Sequence, residues 1–465
     1  MNKFPFTAME CVSAFASGEV SAHEIATAAL ERIALMNPGL NAFIEITADR
    51  ALAEAGVLDG ARRRGERMLP LSAVSYAVKN LFDVAGITTL AGARLHANKP
   101  PARQDAKLIE RLHAAGGMLA GTLNMDAYAY GFTTENTHYG ATHNPRDLSR
   151  SSGGSSGGTG AAVAAGLVPI GLGSDTNGSI RVPSSLCGVF GLKPTFGRLS
   201  RSGSLPFVSS LDHLGPLATT TEDLALVYDA LQGPDANDPA CAQHAINAIL
   251  GELPRGIDGL RIARLAGYFD ENAGVEARWA SHAAAKALQA VDEVELPGAA
   301  QARAAAYLIT ATESGALYLD DLREHLEEFE PLSRERLIAG ALVPAAWYQR
   351  AQRYRQWYLS RVMSLFEHHD LLIAPATPIT APLLGQKFFY IGNRELPTRP
   401  NMGLLTQPIS CIGLPVAVAP LWPGTGLPMG VQLIAAPWRE DLCLRAAGTL
   451  EKLGLANSRI NVDTQ

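Results

Sequence analysis

Residues Arg150 to Pro194 read RSSGGSSGGTGAAVAAGLVPIGLGSDTNGSIRVPSSLCGVFGLKP, and two of the serines here, Ser155 and Ser179, stand in glycine-rich settings. Five glycines between Gly153 and Gly160 let the chain bend tightly and let other groups come close, since no Cβ intervenes. Ala161 to Ala165 predict a helix and Leu167 to Leu172 a buried strand. That strand runs into Gly173-Ser-Asp-Thr-Asn-Gly-Ser179, a sharp turn able to aim several backbone N–H groups at one point. A hydroxyl beside such donors is what acyl transfer requires.

On both sides of this stretch the chain alternates predicted helices and strands. Residues 7 to 35 predict two helices, the second opened by the capping box Ser21-Ala-His-Glu24 and stopped by Asn37-Pro38-Gly39. Ala42 to Ile46 and Met118 to Leu123 predict strands, and Asp105 is placed to cap a helix running to about Ala115. Leu71 to Val78 is a strand-like run that delivers Lys79 at its end. Taken alone, that run describes a lysine whose stem lies on the core while its amine reaches water, because an unpaired buried ammonium is costly. Downstream, residues 219 to 233 and 272 to 366 are mostly helical, Leu371 to Pro375 is a strand, and Glu440 to Leu453 is a closing helix. This alternation argues for one α/β unit with helices covering a sheet.

Composition excludes several classes of function. With 47% hydrophobic and 18% charged residues the chain can bury a large core. A net charge of -6 supplies no basic excess for direct nucleic-acid binding. Cys11, Cys187, Cys241, Cys411 and Cys443 are scattered without a CxxC pair, so neither a disulfide framework nor a zinc site is signalled, and a cytoplasmic location fits. The apolar run Ile409 to Trp422 is broken by Pro415 and Pro420 and falls short of the roughly 20 residues that span a bilayer.

Four readings compete for the glycine-serine region. A phosphate-cradling loop needs a Lys-Ser or Lys-Thr pair closing the glycine run, and Gly157-Gly158-Thr159 has no such lysine. A dinucleotide fingerprint fails where Thr176 takes the place of the third glycine. Gly153-Gly-Ser155-Ser-Gly157 matches the G-x-S-x-G elbow, but that elbow must follow a strand and the preceding residues read as a polar loop. The fourth reading is a serine hydrolase whose base is a lysine.

For this last reading the chain resembles the amidase signature family, nearly end to end and most densely from Lys79 to Pro216. The matching motifs are G-G-S-S-G-G at Gly153 to Gly158, the G-S-D-T-x-G-S-I-R-x-P segment at Gly173 to Pro183, and G-L-K-P-T at Gly191 to Thr195. The separation of Ser155 and Ser179 is the one the family pattern requires. The resemblance implies an α/β fold with a large central twisted mixed β-sheet covered by helices on both faces, as a single domain over 1–465. Its parts would be a catalytic core at about 65–220, a more variable helical lid at about 270–366, and strands and a helix returning to the core at 367–455.

It also implies a Ser-cis-Ser-Lys triad, which overturns the solvent-reaching reading of Lys79. Ser179 would be the nucleophile, Ser155 the bridging serine on a cis peptide, and Lys79 the base. Backbone N–H groups of Thr176, Asn177, Gly178 and Ser179 would form the oxyanion hole, Asp175 and Arg181 would brace the loop, and Met125 would stand at a pocket wall. Tyr128 and Tyr130, two apart amid small residues, either line the pocket with Asn177 or pack. No metal or cofactor is implied. The physics agrees: a free lysine, pKa about 10.4, is protonated at neutral pH, but burial can lower that by about 3–5 pH units, enough to make a base.

One departure bears on the substrate. Asn177 stands where the family has a glycine; asparagine tolerates the left-handed backbone, and its side chain would enter the site and meet a compact, polar substrate. With the overall length, this loop is similar to the carboxybiuret hydrolases of cyanuric acid degradation, a group within the family that releases ammonia from a small ureido carboxylate. Cations for that carboxylate are expected from Tyr307 to Arg323 or Arg394 to Asn401. The resemblance also implies a small helical partner subunit in an α2β2 heterotetramer, with no membrane contact. The alternatives are the glutaminase subunit of a Glu-tRNA(Gln) amidotransferase and a general small-amide amidase.

Overall fold

Eleven strands hydrogen-bond into one mixed sheet in the computed structural model, which describes residues 7–424 and 426–460. In chain order they are β1 (Phe43–Ile46), β2 (Val74–Lys79), β3 (Gly117–Leu123), β4 (Ile170–Asp175), β5 (Phe190–Lys193), β6 (His213–Ala218), β7 (Ile262–Leu265), β8 (Asp292–Val294), β9 (Leu371–Pro375), β10 (Val416–Leu421) and β11 (Met429–Ala435). Their spatial order is β1-β3-β2-β4-β6-β5-β10-β11-β9-β7-β8. Strand β2 runs parallel to both β3 and β4. Every residue of β2, β3 and β4 is buried, as parallel strands covered on both faces require.

The parallel pairing of β2 with β4 decides where the chemistry sits. Tyr76 lies opposite Ile170 and Val78 opposite Leu172, so the carboxyl ends of both strands reach the same edge, carrying Lys79 and Ser174–Asp175. In α/β sheets the carboxyl edge is where ligands bind. A wholly buried Gly157–Ala164 helix packs over these strands. It lies this close because its residues are small: a Cβ on Gly158 would come within 2.5 Å of the Asn124 carbonyl oxygen.

Several local expectations shift. The second helix runs from Ala22 through Pro38 to Leu40 and ends on left-handed Asn41, not at the proline. Asn37 Oδ1 accepts from the N–H groups of Ala42 and Phe43 just beyond, so the helix end is satisfied one turn later. Asp105 does not cap the Lys107–Ala114 helix; its carboxylate instead takes a bidentate grip from Arg50, at 2.8 and 2.7 Å, and the Ala85 N–H. A guanidinium supplied by the fold outcompetes a single local N–H. The polar stretch before Gly153 is partly a strand, Asp147–Ser151, paired with His143–Asn144 in a ribbon outside the main sheet. Among the described residues no helix is long and apolar enough to cross a membrane.

Candidate active site

Lys79, at the last position of β2, is fully buried. Its Nζ donates to Ser155 Oγ at 2.6 Å and to Ser174 Oγ at 2.9 Å. Burial pulls the amine down to about 7, against the opposing charges of Asp126, Asp175 and Asp212, so near neutral pH a large fraction is uncharged. Ser155 follows the cis Gly154–Ser155 peptide bond. The main chain ties the two glycine-rich segments together, with Ser156 N–H donating to the Ser179 carbonyl at 3.3 Å. Ser179 opens onto a cleft, and its hydroxyl has no hydrogen-bond partner among the described residues. Ser174 had no part in the sequence reading; its signal was its place two residues from the β2–β4 register pair, facing the strand end that carries Lys79.

The turn after β4 is braced from within. Asp175 Oδ1 accepts from the Gly178 N–H at 2.7 Å, and Oδ2 from the Ile180 N–H. Arg181, with no exposed side-chain surface, binds both carboxylate oxygens at 2.9 Å and reaches on to Gln432 Oε1 at 2.7 Å, the Thr406 carbonyl and Ser410 Oγ. Burial alone would raise the Asp175 carboxyl, but the Arg181 charge holds it well below the usual carboxylate range. Of the four expected oxyanion donors, the Gly178 N–H is thus engaged in the brace. Those of Thr176, Asn177 and Ser179 carry no hydrogen bond among the described residues. The left-handed position in the turn is Gly178, φ 138°, where a Cβ would meet Thr406 Oγ1 at 2.2 Å. Asn177 is not left-handed, so its tolerance of that region is not what lets it replace glycine.

The walls of the narrow cleft above Ser179 include Tyr130, Asn177, Tyr307, Thr310, Arg336 and Gln407. Among the described residues that line it, none is acidic. Tyr128 and Met125, expected at the substrate, are not among these walls. Tyr128 packs in an aromatic cluster, edge-on to Tyr318 and His96 and tilted against Phe329, and Met125 is buried with its carbonyl held by Asn136. The left-handed backbone of Tyr128 and Ala129 turns Tyr130 toward the cleft in their stead.

The expected cations are mostly spoken for. Arg399 pairs with Asp126 at 3.0 Å, Arg394 donates to the Glu271 carbonyl, and Arg323 lies beside Asp320. The guanidinium that lines the cleft is Arg336, from the Pro331–Ala341 helix and outside both expected segments. One of its nitrogens donates to the Tyr130 carbonyl at 2.7 Å and the Leu332 carbonyl, and its plane lies 4.0 Å from the Tyr130 ring centroid. The other two nitrogens have no partner among the described residues. Arg336 stands in the charged run Arg334-Glu335-Arg336, which reads as a solvated face, and so the sequence did not single it out. Among the described residues no group of three or more His, Cys, Asp or Glu is placed to hold a metal ion.

Residues 24–444 match the family described as Amidase. The chain is 56% identical over 450 residues to AtzE of Pseudomonas sp. strain ADP, a 1-carboxybiuret hydrolase subunit, covering 96% of this chain and 98% of that protein. It is 38% identical over 476 residues to a Glutamyl-tRNA(Gln) amidotransferase subunit of Chloroflexus aggregans, covering 95% of each. A solved structure, of a vestigial protein complex that reveals the evolutionary origins of an s-triazine catabolic enzyme, superposes with a TM-score of 0.97 at 56% identity, covering 97% of this chain and 100% of that one.

Proposed function

The chain belongs to the amidase family and so hydrolyses linear C–N amide bonds, and from that footing we propose that it is a 1-carboxybiuret hydrolase working through a Ser179 acyl-enzyme. The observation that carries the substrate is the cleft wall: one guanidinium, Arg336, with two unpartnered nitrogens, and no lining carboxylate. Such a wall suits a small substrate that is anionic and carries no ammonium group. Glutamine, the ammonia donor of the alternative reading, would bring an α-ammonium that finds no carboxylate there, and the amidotransferase relative is the more distant of the two.

In this reading neutral Lys79 takes a proton from Ser155 as Ser155 takes one from Ser179. The Ser179 oxygen attacks the terminal amide carbon, and the negative charge that forms on the carbonyl oxygen is met by the N–H groups of Thr176, Asn177 and Ser179. The relay returns its proton to the amide nitrogen, the C–N bond breaks, and ammonia leaves. Water then attacks the Ser179 ester through the same relay and releases the dicarboxylate. The lowered Lys79 pKa and the 2.6 Å contact to Ser155 support this assignment of roles, and no residue on the path needs a metal.

The AtzE relative is described as a subunit, which supports a partner here; the reading places a small helical chain beside this one in an α2β2 assembly. Ammonia release from carboxybiuret, glutamine and bulky aryl amides tests the substrate. Turnover confined to the ureido carboxylate is expected, and equal rates on glutamine or aryl amides would reject it.

A further inference from the structure

Two primary amides, Asn177 and Gln407, line the same cleft as Ser179, and each has one end bonded to a neighbour. Asn177 Nδ2 donates to Thr310 Oγ1, on the Ala299–Leu317 helix, at 2.8 Å. Its Oδ1 is buried and has no partner, although the residue is only 6% exposed. Gln407 shows the opposite end: its Oε1 accepts from Arg303 Nε at 2.9 Å. Arginine has donors only, so this contact fixes the amide, and Nε2 has no partner among the described residues. The cleft therefore offers one bare acceptor and one bare donor. An unpaired buried carbonyl carries a desolvation cost, and the cost is relieved when a ligand N–H reaches it.

Building on the carboxybiuret reading, we infer that Asn177 and Gln407 are a specificity pair that selects a ureido chain over a methylene chain. The Asn177 backbone belongs to the oxyanion turn, so its Oδ1 sits beside the reacting carbonyl and accepts from the chain-side N–H there, the one opposite the leaving nitrogen. Gln407 Nε2 donates to the next carbonyl along the chain. A ureido carboxylate has both groups; an aliphatic amide of equal length has neither, and would leave Oδ1 stripped of water and unpaired. Thr310 is a positioning residue: its hydroxyl accepts from Asn177 Nδ2 and leaves Oδ1 for the substrate.

The test compares freshly prepared carboxybiuret with glutaramate, in which three methylenes replace the NH–CO–NH segment. The readout is the ratio of the two kcat/KM values on one preparation, so loss of folded enzyme cancels. Asn177→Gly is expected to lower the ratio by roughly 30-fold or more, since sites built to bond a polar group reject analogues lacking it. Thr310→Val should lower it about 5-fold, chiefly through a higher KM for carboxybiuret. A ratio within 2-fold of wild type in Asn177→Gly, while wild type still turns over carboxybiuret, would overturn this inference and leave the function standing. No turnover of carboxybiuret by wild type would overturn both.

Discussion

Lys79 and Lys193 each close a strand of the central sheet, each is fully buried, and burial brings each amine down to about 7. Their surroundings differ. Lys79 Nζ meets two serine hydroxyls, those of Ser155 and Ser174. Lys193 Nζ meets main-chain carbonyls, that of Leu414 and, at 3.2 Å, that of Pro194. A hydroxyl can pass a proton on, whereas a carbonyl can only receive a hydrogen bond. The lowered pKa is therefore shared by the proposed chemical site and by a lysine strapped to main-chain carbonyls, and the partner atoms distinguish them.

The contrast can be broken most forcefully at its chemical end. Ser179→Ala should cut ammonia release by about 10⁴-fold or more, leaving only what binding and the N–H donors supply; a residual rate near wild type would remove Ser179 from the reaction. Next, the two lysines should dissociate. Lys79→Met is expected to lose about 10³-fold or more in kcat. Lys193→Met should keep kcat/KM within about 10-fold but lose about 2–3 kcal/mol of stability, because two buried carbonyls lose their donor. Thermal melts and steady-state rates on the same samples read both effects, and an inactive but stable Lys193→Met would erase the distinction.

A smaller effect sharpens the selectivity half of the site. Arg336→Met should raise KM for a carboxylate substrate about 100-fold with a lesser change in kcat, as expected for a charge-assisted contact made before the chemical step. An unchanged KM would move carboxylate binding elsewhere.

The chemical half was legible in the sequence because its parts are local. Gly153 to Gly158 and Gly173 to Ser179 spell out backbone turns that few residue types permit, and β2 announces Lys79 as its last residue. The family resemblance was needed to join them, since the local reading sent the Lys79 amine to water. The wall opposite was not legible. Arg336 and Thr310 arrive on helices more than a hundred residues downstream, and their stripes look like ordinary packing or solvated faces. Tyr128 and Tyr130 were indistinguishable as letters; left-handed backbone at Tyr128 and Ala129 sent one ring into the aromatic cluster and the other to the cleft. Asp105 misled because a partner from elsewhere in the fold, Arg50, overrode a local rule; at Pro38 the neighbouring Asn37 side chain satisfies the helix end one turn later.

The uncharged amine at Lys79 is tested most directly by the pH dependence of Ser179 acylation, followed by mass spectrometry with a serine-reactive fluorophosphonate. Only the neutral amine accepts a proton, so the rate should rise about tenfold per pH unit below a midpoint near 7 and level off above it. The same midpoint should persist in Lys193→Met and vanish in Lys79→Met. A rate still climbing through pH 9, or an adduct on a residue other than Ser179, would contradict the account.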